Sequence, residues 1–395
     1  MKKIVVLVMC LAALPLAARE VYLRTAFSEA AQAAARTWGT AFQAAQEAKA
    51  PPPYKIAFIR FNHHSATRHL KHILTTPGLP VKLVGIAETE RELVAEAKRR
   101  GATVPFWTDY NKMLDEVKPD IVFGLLENGR HLEIVRACAP RKIHVIFQKP
   151  LASSYEDALA IQALARKHGI QVVTDFDIAF YPTTHAAKAK ADSGEIGKVW
   201  RLHGIQGHGG TANWSTGWRR FFFQWLTDPS RNGGGPLVDF GCYNALWALS
   251  YKGRPETVYA YANHLQPGPF PKVEEDTAVM ILGYKDGVGI FEGSWDLPRR
   301  FQRLEVFGLT GSILTSEDVE VVMRKGDEPE ARIDVPALPP EMAGPMEYMA
   351  YCLRHNKPVG GMVALDVNVS VLEILEAARL SIKSGKAVAL PLLMK

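Results

Sequence analysis

The segment Arg60-Phe61-Asn62-His63-His64-Ser65 follows a short apolar run. A dinucleotide-binding sheet carries Gly-x-Gly-x-x-Gly at such a place, because bare backbone lets a diphosphate approach a helix N-terminus. All three glycines are missing here. Asn62 tolerates positive φ and Ser65 is small, so the turn keeps two of the properties the glycines provide. Glu88 closes the next apolar run. A carboxylate there can accept from a ribose 2′-hydroxyl and repel a 2′-phosphate, which favours NAD and leaves NADP as the alternative; a surface Glu opening a helix is the plainer reading. His63, His64, His69 and His72 lack the carboxylate or Cys companions of a metal site, so no metal is expected. Three more polar runs stand where strands are expected to end: Glu127-Asn128-Gly129-Arg130-His131, Gln148-Lys149-Pro150 and Asp239-Phe240-Gly241-Cys242-Tyr243.

The elements that must position these residues can be read from the apolar pattern. Lys55–Ile59, Val81–Ala87, Asp120–Leu126, Ile143–Phe147 and Gln171–Thr174 read as buried strands. Helical text lies between them, ending at Leu74, from Arg91 to Arg100, from Arg130 to Ala139 and from Tyr155 to His168. The alternation predicts an α/β fold, with an N-terminal Rossmann doubly wound parallel sheet. Beyond it the rhythm changes. A Gly/Trp-rich stretch runs from Gly204 to Trp218, and a short helix follows Gly233-Gly234-Gly235. Strand-like runs then crowd together at Thr257–Ala262, Ala278–Tyr284, Gly287–Ser294 and Arg303–Phe307, before a final amphipathic segment, Val367–Ser384. These predict a C-terminal α+β domain with an open, mostly antiparallel sheet. The expected boundaries are 1–18 for a leader, 19–53 for a helical arm and Pro linker, 54–172 for the dinucleotide-binding domain and 173–395 for the substrate-binding domain.

The order and spacing of these motifs resemble the glucose–fructose oxidoreductase/inositol dehydrogenase (Gfo/Idh/MocA) family. The resemblance runs from about Tyr54 to Leu390. Its members show a strand-end Pro-Asn-x-x-His type motif, then Glu-Lys-Pro, then Asp-x-Gly-x-His after a Gly-rich stretch. Ser193-Gly194-Glu195-Ile196-Gly197 is similar to the turn that opens the family's second domain. The resemblance implies Lys149, Asp239 and Tyr243 as catalytic residues. Lys149 would touch nicotinamide and the reacting hydroxyl, stabilising alkoxide character, and Asp239 would position the sugar. Tyr243, where many members have His, would exchange the hydroxyl proton with a pKa lowered by Lys149. Four positions apart, Asp239 and Tyr243 would share one face of a helix. Phe61, Asn62, His64, Ser65, Glu88, Glu127, Asn128, His131 and Gln148 would line the cofactor, with Gln148 replacing the family's Glu. The stretch His208 to Trp214 and the cluster Trp218 to Trp225 offer aromatic faces suited to sugars, with ordinary packing as the alternative; His208 and Trp214 are the substrate-binding candidates. The implied activity is hydride transfer between tightly held NAD(P) and a sugar or polyol hydroxyl. Two rivals stand beside it: an NAD-dependent glycosidase working by oxidation and elimination, and a degenerate sugar-binding protein that lost the cofactor with its glycines.

The bulk sequence bounds these readings. Its 395 residues exceed one typical core, and 47 basic against 41 acidic residues give a net charge of +6 without basic blocks, so no nucleic-acid footprint is present. Lys2-Lys3, the apolar run Ile4–Leu16 and Ala17-Ala18 read as a secretory leader too short to span a membrane comfortably, predicting an exported, periplasmic or extracellular protein. Cys138, Cys242 and Cys352 sit among apolar neighbours and read as core thiols. The Ala-rich arm over 20–50 needs a surface to cover. The family resemblance implies a dimer or tetramer.

Overall fold

A parallel strand covered by helices on both faces has no wet side, so its residues are apolar without alternation. Ile56, Ala57, Phe58 and Ile59 obey this rule and are fully buried. In the computed structural model, which describes residues 51–210 and 216–393, they form β1 (Tyr54–Ile59), at the middle of a six-stranded sheet. Its other strands are β2 (Val81–Ala87), β3 (Phe106–Trp107), β4 (Ile121–Gly124), β5 (His144–Gln148) and β6 (Val172–Asp175). The order is β3-β2-β1-β4-β5-β6, with every pair parallel. Crossovers are made by α1 (Ala66–Thr75), α2 (Arg91–Arg99), α3 (Tyr110–Val117), α4 (His131–Cys138) and α5 (Tyr155–His168). This is the expected doubly wound sheet. Strand order reverses between β1 and β4, which opens a crevice at their C-terminal ends.

Local chemistry fixes where these helices begin and end. Ser154 accepts from the Asp157 N–H at 3.1 Å to start α5, and Gly169 at φ 65 stops it. Two first-domain elements escaped the sequence reading. β3 is only two residues long, and α3 carried a signal that was overlooked, Asp109 capping the Asn111 N–H at 2.8 Å.

After α6 (Pro182–Asp192) the second sheet begins with β7 (Val199–Gly207). Four helical segments follow: α7 (Arg220–Leu226), α8 (Pro229–Asn232), α9 (Pro236–Asp239) and α10 (Gly241–Lys252). Strands β8 (Thr257–Asn263), β9 (Thr277–Tyr284), β10 (Gly287–Ser294), β11 (Phe301–Gly308), β12 (Gly311–Ser316), β13 (Glu320–Lys325) and β14 (Ala331–Arg332) come next. The chain ends through α11 (Pro345–Arg354), α12 (Leu365–Ser384) and β15 (Val388–Ala389). The sheet order is β14-β13-β12-β11-β7-β10-β9-β8-β15. Only β7 and β10 pair in parallel, so the expected mostly antiparallel sheet is present.

The start of the Gly/Trp-rich stretch, Gly204–Gly207, belongs to strand β7. A Cβ at Gly204 would lie 2.7 Å from the Phe291 ring, so the missing side chain makes room for Phe291. One face of the sheet packs on helices: Val258 and Ala260 are buried while Tyr259 and Tyr261 face out. α12 packs on β8, on α10 and on α5, and so ties the two sheets together. Cys138, Cys242 and Cys352 are buried and free, as expected. The leader and arm expected over residues 1–50 lie outside the described residues, as does Trp214. Among the described residues no helix is long and apolar enough to cross a membrane.

Candidate active site

Lys149 follows the last residue of β5 and precedes Pro150 across a cis peptide bond. Its ammonium donates to Asp239 Oδ1 at 2.5 Å and to the Asp239 carbonyl at 2.8 Å. The other carboxylate oxygen accepts from the Trp295 indole N–H at 3.0 Å. Burial alone would lower the Lys149 pKa, but the facing charge of Asp239 prevails and holds it above its ordinary value. Burial likewise works to raise Asp239, and Lys149 and Trp295 outweigh it and hold the carboxyl below its usual range. The two are therefore an ionised pair whose side chains are only 10% and 9% exposed.

Asp239 is placed by glycines. A Cβ on Gly235 would lie 2.1 Å from the Glu275 carbonyl, and Gly233 at φ 96 packs on Ser153. Asp239 and Tyr243 do not share one helix. Phe240, at φ −110 and ψ −31, separates one-turn α9 from α10. Both still face Lys149, whose Nζ sits 4.9 Å from the Tyr243 ring centre. The expectation of a lowered Tyr243 pKa fails. Burial raises it well above its ordinary value, and the neighbouring Asp177 and Asp239 carboxylates add to the effect of burial. Tyr243 is a neutral hydrogen-bond donor across the physiological range.

Four groups near this pair escaped the sequence reading. Trp295 is one. Asp177, beyond β6, accepts from the Tyr181 hydroxyl at 2.7 Å, and Arg300 hydrogen-bonds Tyr181 in turn. Only the Trp gave a signal, standing directly after β10. His208 follows β7, its ring 5.1 Å from Phe240. Burial lowers its pKa, and Lys149 and Arg300 lower it further against the pull of Asp239. A glycine is required beside it at 207, where a Cβ would lie 2.1 Å from the Ser294 carbonyl; at Gly209 a Cβ would fit tightly, 3.0 Å from the Leu297 carbonyl. His208 is thus pinned to the active-site wall.

At the crevice, Arg60 replaces the first glycine and stands at φ 66, a left-handed conformation costing about 1–3 kcal/mol in a non-Gly residue. An ion pair with Glu88 at 3.0 Å and a hydrogen bond to Thr89 hold it there. Glu88 therefore does not face a ribose. Its side chain is fully buried and accepts from the N–H groups of Phe61, Thr89 and Glu90 at 2.7, 2.7 and 2.9 Å. Burial raises its pKa in spite of Arg60. Phe61 is corrected with it, since its ring is in the core and its N–H is taken by Glu88. Ser65 is also occupied, its hydroxyl and N–H both meeting the His63 ring.

The remaining cofactor candidates stand at or just beyond the C-terminal ends of β1, β4 and β5. Asn62 donates to Glu127 at 3.2 Å, and Glu127 pairs with Arg231. Asn128 donates to Asn232 Oδ1 at 2.6 Å. His131 stacks on Phe147 at 4.1 Å and bonds the Leu151 carbonyl at 3.0 Å through Nδ1; burial pushes its pKa down to about 4. His64 lies against Phe222, with its pKa lowered to about 3 by burial. Gln148 bonds His69 at 3.0 Å and also Asp175. It looks away from Lys149, so the charge that tunes Lys149 belongs to Asp239.

Asn62 Oδ1, Asn128 Oδ1 and His131 Nε2 are buried without a hydrogen-bond partner. Each such group costs about 1–3 kcal/mol. Three of them in one crevice, beside a buried ammonium, fit a polar ligand laid along the strand ends. The nicotinamide end of a dinucleotide fits the residues present, with Asn128, His131 and Lys149 as its holders. The turn after β1, where the diphosphate end would lie, has exchanged its glycines for internal contacts.

Comparison with known proteins agrees with this fold. Residues 55–176 match the profile described as oxidoreductase family, NAD-binding Rossmann fold, and residues 184–314 match the GFO/IDH/MocA C-terminal domain. D-xylose 1-dehydrogenase (NADP(+)) 2 of Haloferax volcanii is 30% identical over 200 residues, 48% of this chain and 58% of that protein. Levoglucosan dehydrogenase of Pseudarthrobacter phenanthrenivorans is 31% identical over 263 residues, 60% of this chain and 65% of that protein. The chain thus spans less than two thirds of the length of these two relatives. In fold, levoglucosan dehydrogenase in complex with NADH and levoglucosan superposes with a TM-score of 0.73 at 20% identity, over 86% of this chain and all of that one.

Proposed function

Since the chain belongs to the Gfo/Idh/MocA oxidoreductases, with that family's NAD-binding Rossmann domain, we propose that it transfers hydride between a nicotinamide dinucleotide and a sugar or polyol hydroxyl. The observation that carries this reading is the buried Lys149–Asp239 pair at the end of β5. A bound nicotinamide supplies a carbon that accepts or gives hydride; all else falls to the protein's own groups. In reduction the Lys149 ammonium can donate to the substrate oxygen, where negative charge grows as hydride reaches the carbon; in oxidation the deprotonated form of Lys149 or Tyr243 takes the hydroxyl proton as hydride leaves. Asp239 keeps that ammonium charged and oriented, and Trp295 fixes the carboxylate. Tyr243 offers a second donor, a neutral one. Asp177, Tyr181, Arg300 and His208 supply acceptors and donors to neighbouring hydroxyls. Two cations and two carboxylates balance, a setting suited to an uncharged polyol.

The leader-like residues 2–18 support export. An exported enzyme would retain its nucleotide and reset it with a second substrate, because free NAD is not recycled there. The outward face of the second sheet supports a homo-oligomer. Purified protein, denatured and assayed for released nucleotide, tests the main reading. Bound NAD(H) or NADP(H), with a change in absorbance near 340 nm when aldoses or cyclitols are added, is the expected result. Protein that neither carries nor takes up either nucleotide refutes it.

A further inference from the structure

α7 belongs by sequence to the second domain but packs on the nucleotide turn of the first. Trp225 donates its indole N–H to the Asn62 carbonyl at 3.1 Å. Phe222 sits 4.8 Å from the His63 ring and 4.6 Å from that of His64, and Trp225 lies 4.9 Å from Phe222. Further along, Arg231 pairs with Glu127, and Asn232 accepts from Asn128. At the other end, both Arg220 terminal nitrogens reach the Glu92 carboxylate. The segment therefore spans the crevice from α2, past the turn after β1, to the end of β4. Beneath it, Asn62 and His63 are 3% and 2% exposed. Under the same cover lie the orphaned Asn62 Oδ1, Asn128 Oδ1 and His131 Nε2.

A crevice with unsatisfied polar atoms and a tight cover calls for a ligand that enters when the cover lifts. We propose that Gly217–Gly233 is the removable outer wall of the dinucleotide site, with Phe222, Trp225 and Arg231 as its inner surface, and that nucleotide exchanges only when it swings away. The two ends suit this unequally. A Cβ on Gly217 meets nothing, and this residue stands at φ 59. Gly233 is jammed against Ser153, and its carbonyl accepts from Arg379 at 2.6 Å. The wall is rooted at Gly233, and its Gly217 end is held to α2 by the surface Arg220–Glu92 pair. In place of glycines that would leave the diphosphate open to solvent, the chain uses a bulky turn and closes it from the other domain.

This inference rests on the oxidoreductase reading, and one experiment separates the two. The full chain is loaded with NADH, or with NADPH if only that binds, and chased with excess oxidised nucleotide. Release is followed by stopped-flow fluorescence. Trp225→Ala should speed release tenfold or more, and Arg220→Glu at least threefold. Adding Glu92→Arg to Arg220→Glu, which restores the pair on the surface without touching the core, should return the rate to near wild type. Loaded protein whose release is unchanged by Trp225→Ala, or whose Arg220→Glu effect is not reversed by Glu92→Arg, overturns the wall and leaves the oxidoreductase reading standing. If no variant binds either nucleotide, both fall.

Discussion

Tyr243 and Lys149 both keep their protons at neutral pH, the phenol because burial and two carboxylates disfavour its anion, the ammonium because Asp239 faces it. Alcohol oxidation needs a proton acceptor and carbonyl reduction a donor, so the two directions should respond differently to pH. Between pH 6 and 8.5 the rate of oxidation should climb with pH while that of reduction stays level. A plateau in oxidation near pH 7 would mean that neither group is the acceptor. Lys149→Met should lower turnover by about 10²–10⁴. It also leaves Asp239 as a buried uncompensated charge, a loss of about 3–5 kcal/mol that thermal unfolding would register. Adding Asp239→Asn should recover most of that stability and none of the activity. At this scale the sequence exposed Lys149, Asp239 and Tyr243 through their motifs. It misled on Glu88, because strand position identifies a carboxylate but not what it already holds. The missing first glycine put an arginine at φ 66, and Glu88 turned inward to meet it.

The loop Gly233–Gly235 and the one-turn α9 deliver Asp239, and a second buried carboxylate underlies them. Glu275 accepts the Gly235 N–H at 2.8 Å, and burial raises its pKa to about 7. A folded pKa raised from 4.5 means that the fold prefers the protonated form. Its contribution is complete below about pH 4.5 and is lost as pH rises through 7. Glu275→Gln, which keeps an oxygen for Gly235, should therefore melt higher than wild type at pH 8.5 and with little difference at pH 4.5. A gap that does not change with pH would rule this out. Elements such as β1 and α5 were legible because continuous apolar runs and end signals announce themselves. β7 was not, since its glycines carry no strand signal until Phe291 shows why they are there.

At the scale of the whole molecule, the second sheet presents a stripe of side chains that are exposed among the described residues. Tyr259 pairs with Ile281, which pairs with Ile290, which pairs with His203. Tyr259, Tyr261 and Ile281 are 39%, 58% and 40% exposed. A second copy laid on this face would bury them. Light scattering should find a dimer or larger species, and Tyr259→Glu with Tyr261→Glu should shift it toward the monomer. A monomeric wild type would refute the arrangement. The amino-acid sequence by itself determined the two-sheet architecture and the strand-end placement of the polar motifs, because apolar period and turn residues act over short distances. Only the tertiary structure decided which hydrogen bonds were already taken, that Tyr243 stays protonated, and that α7 lies over the nucleotide turn. Those outcomes depend on residues far apart in the chain, where burial and facing charge, absent from any local pattern, set the energies.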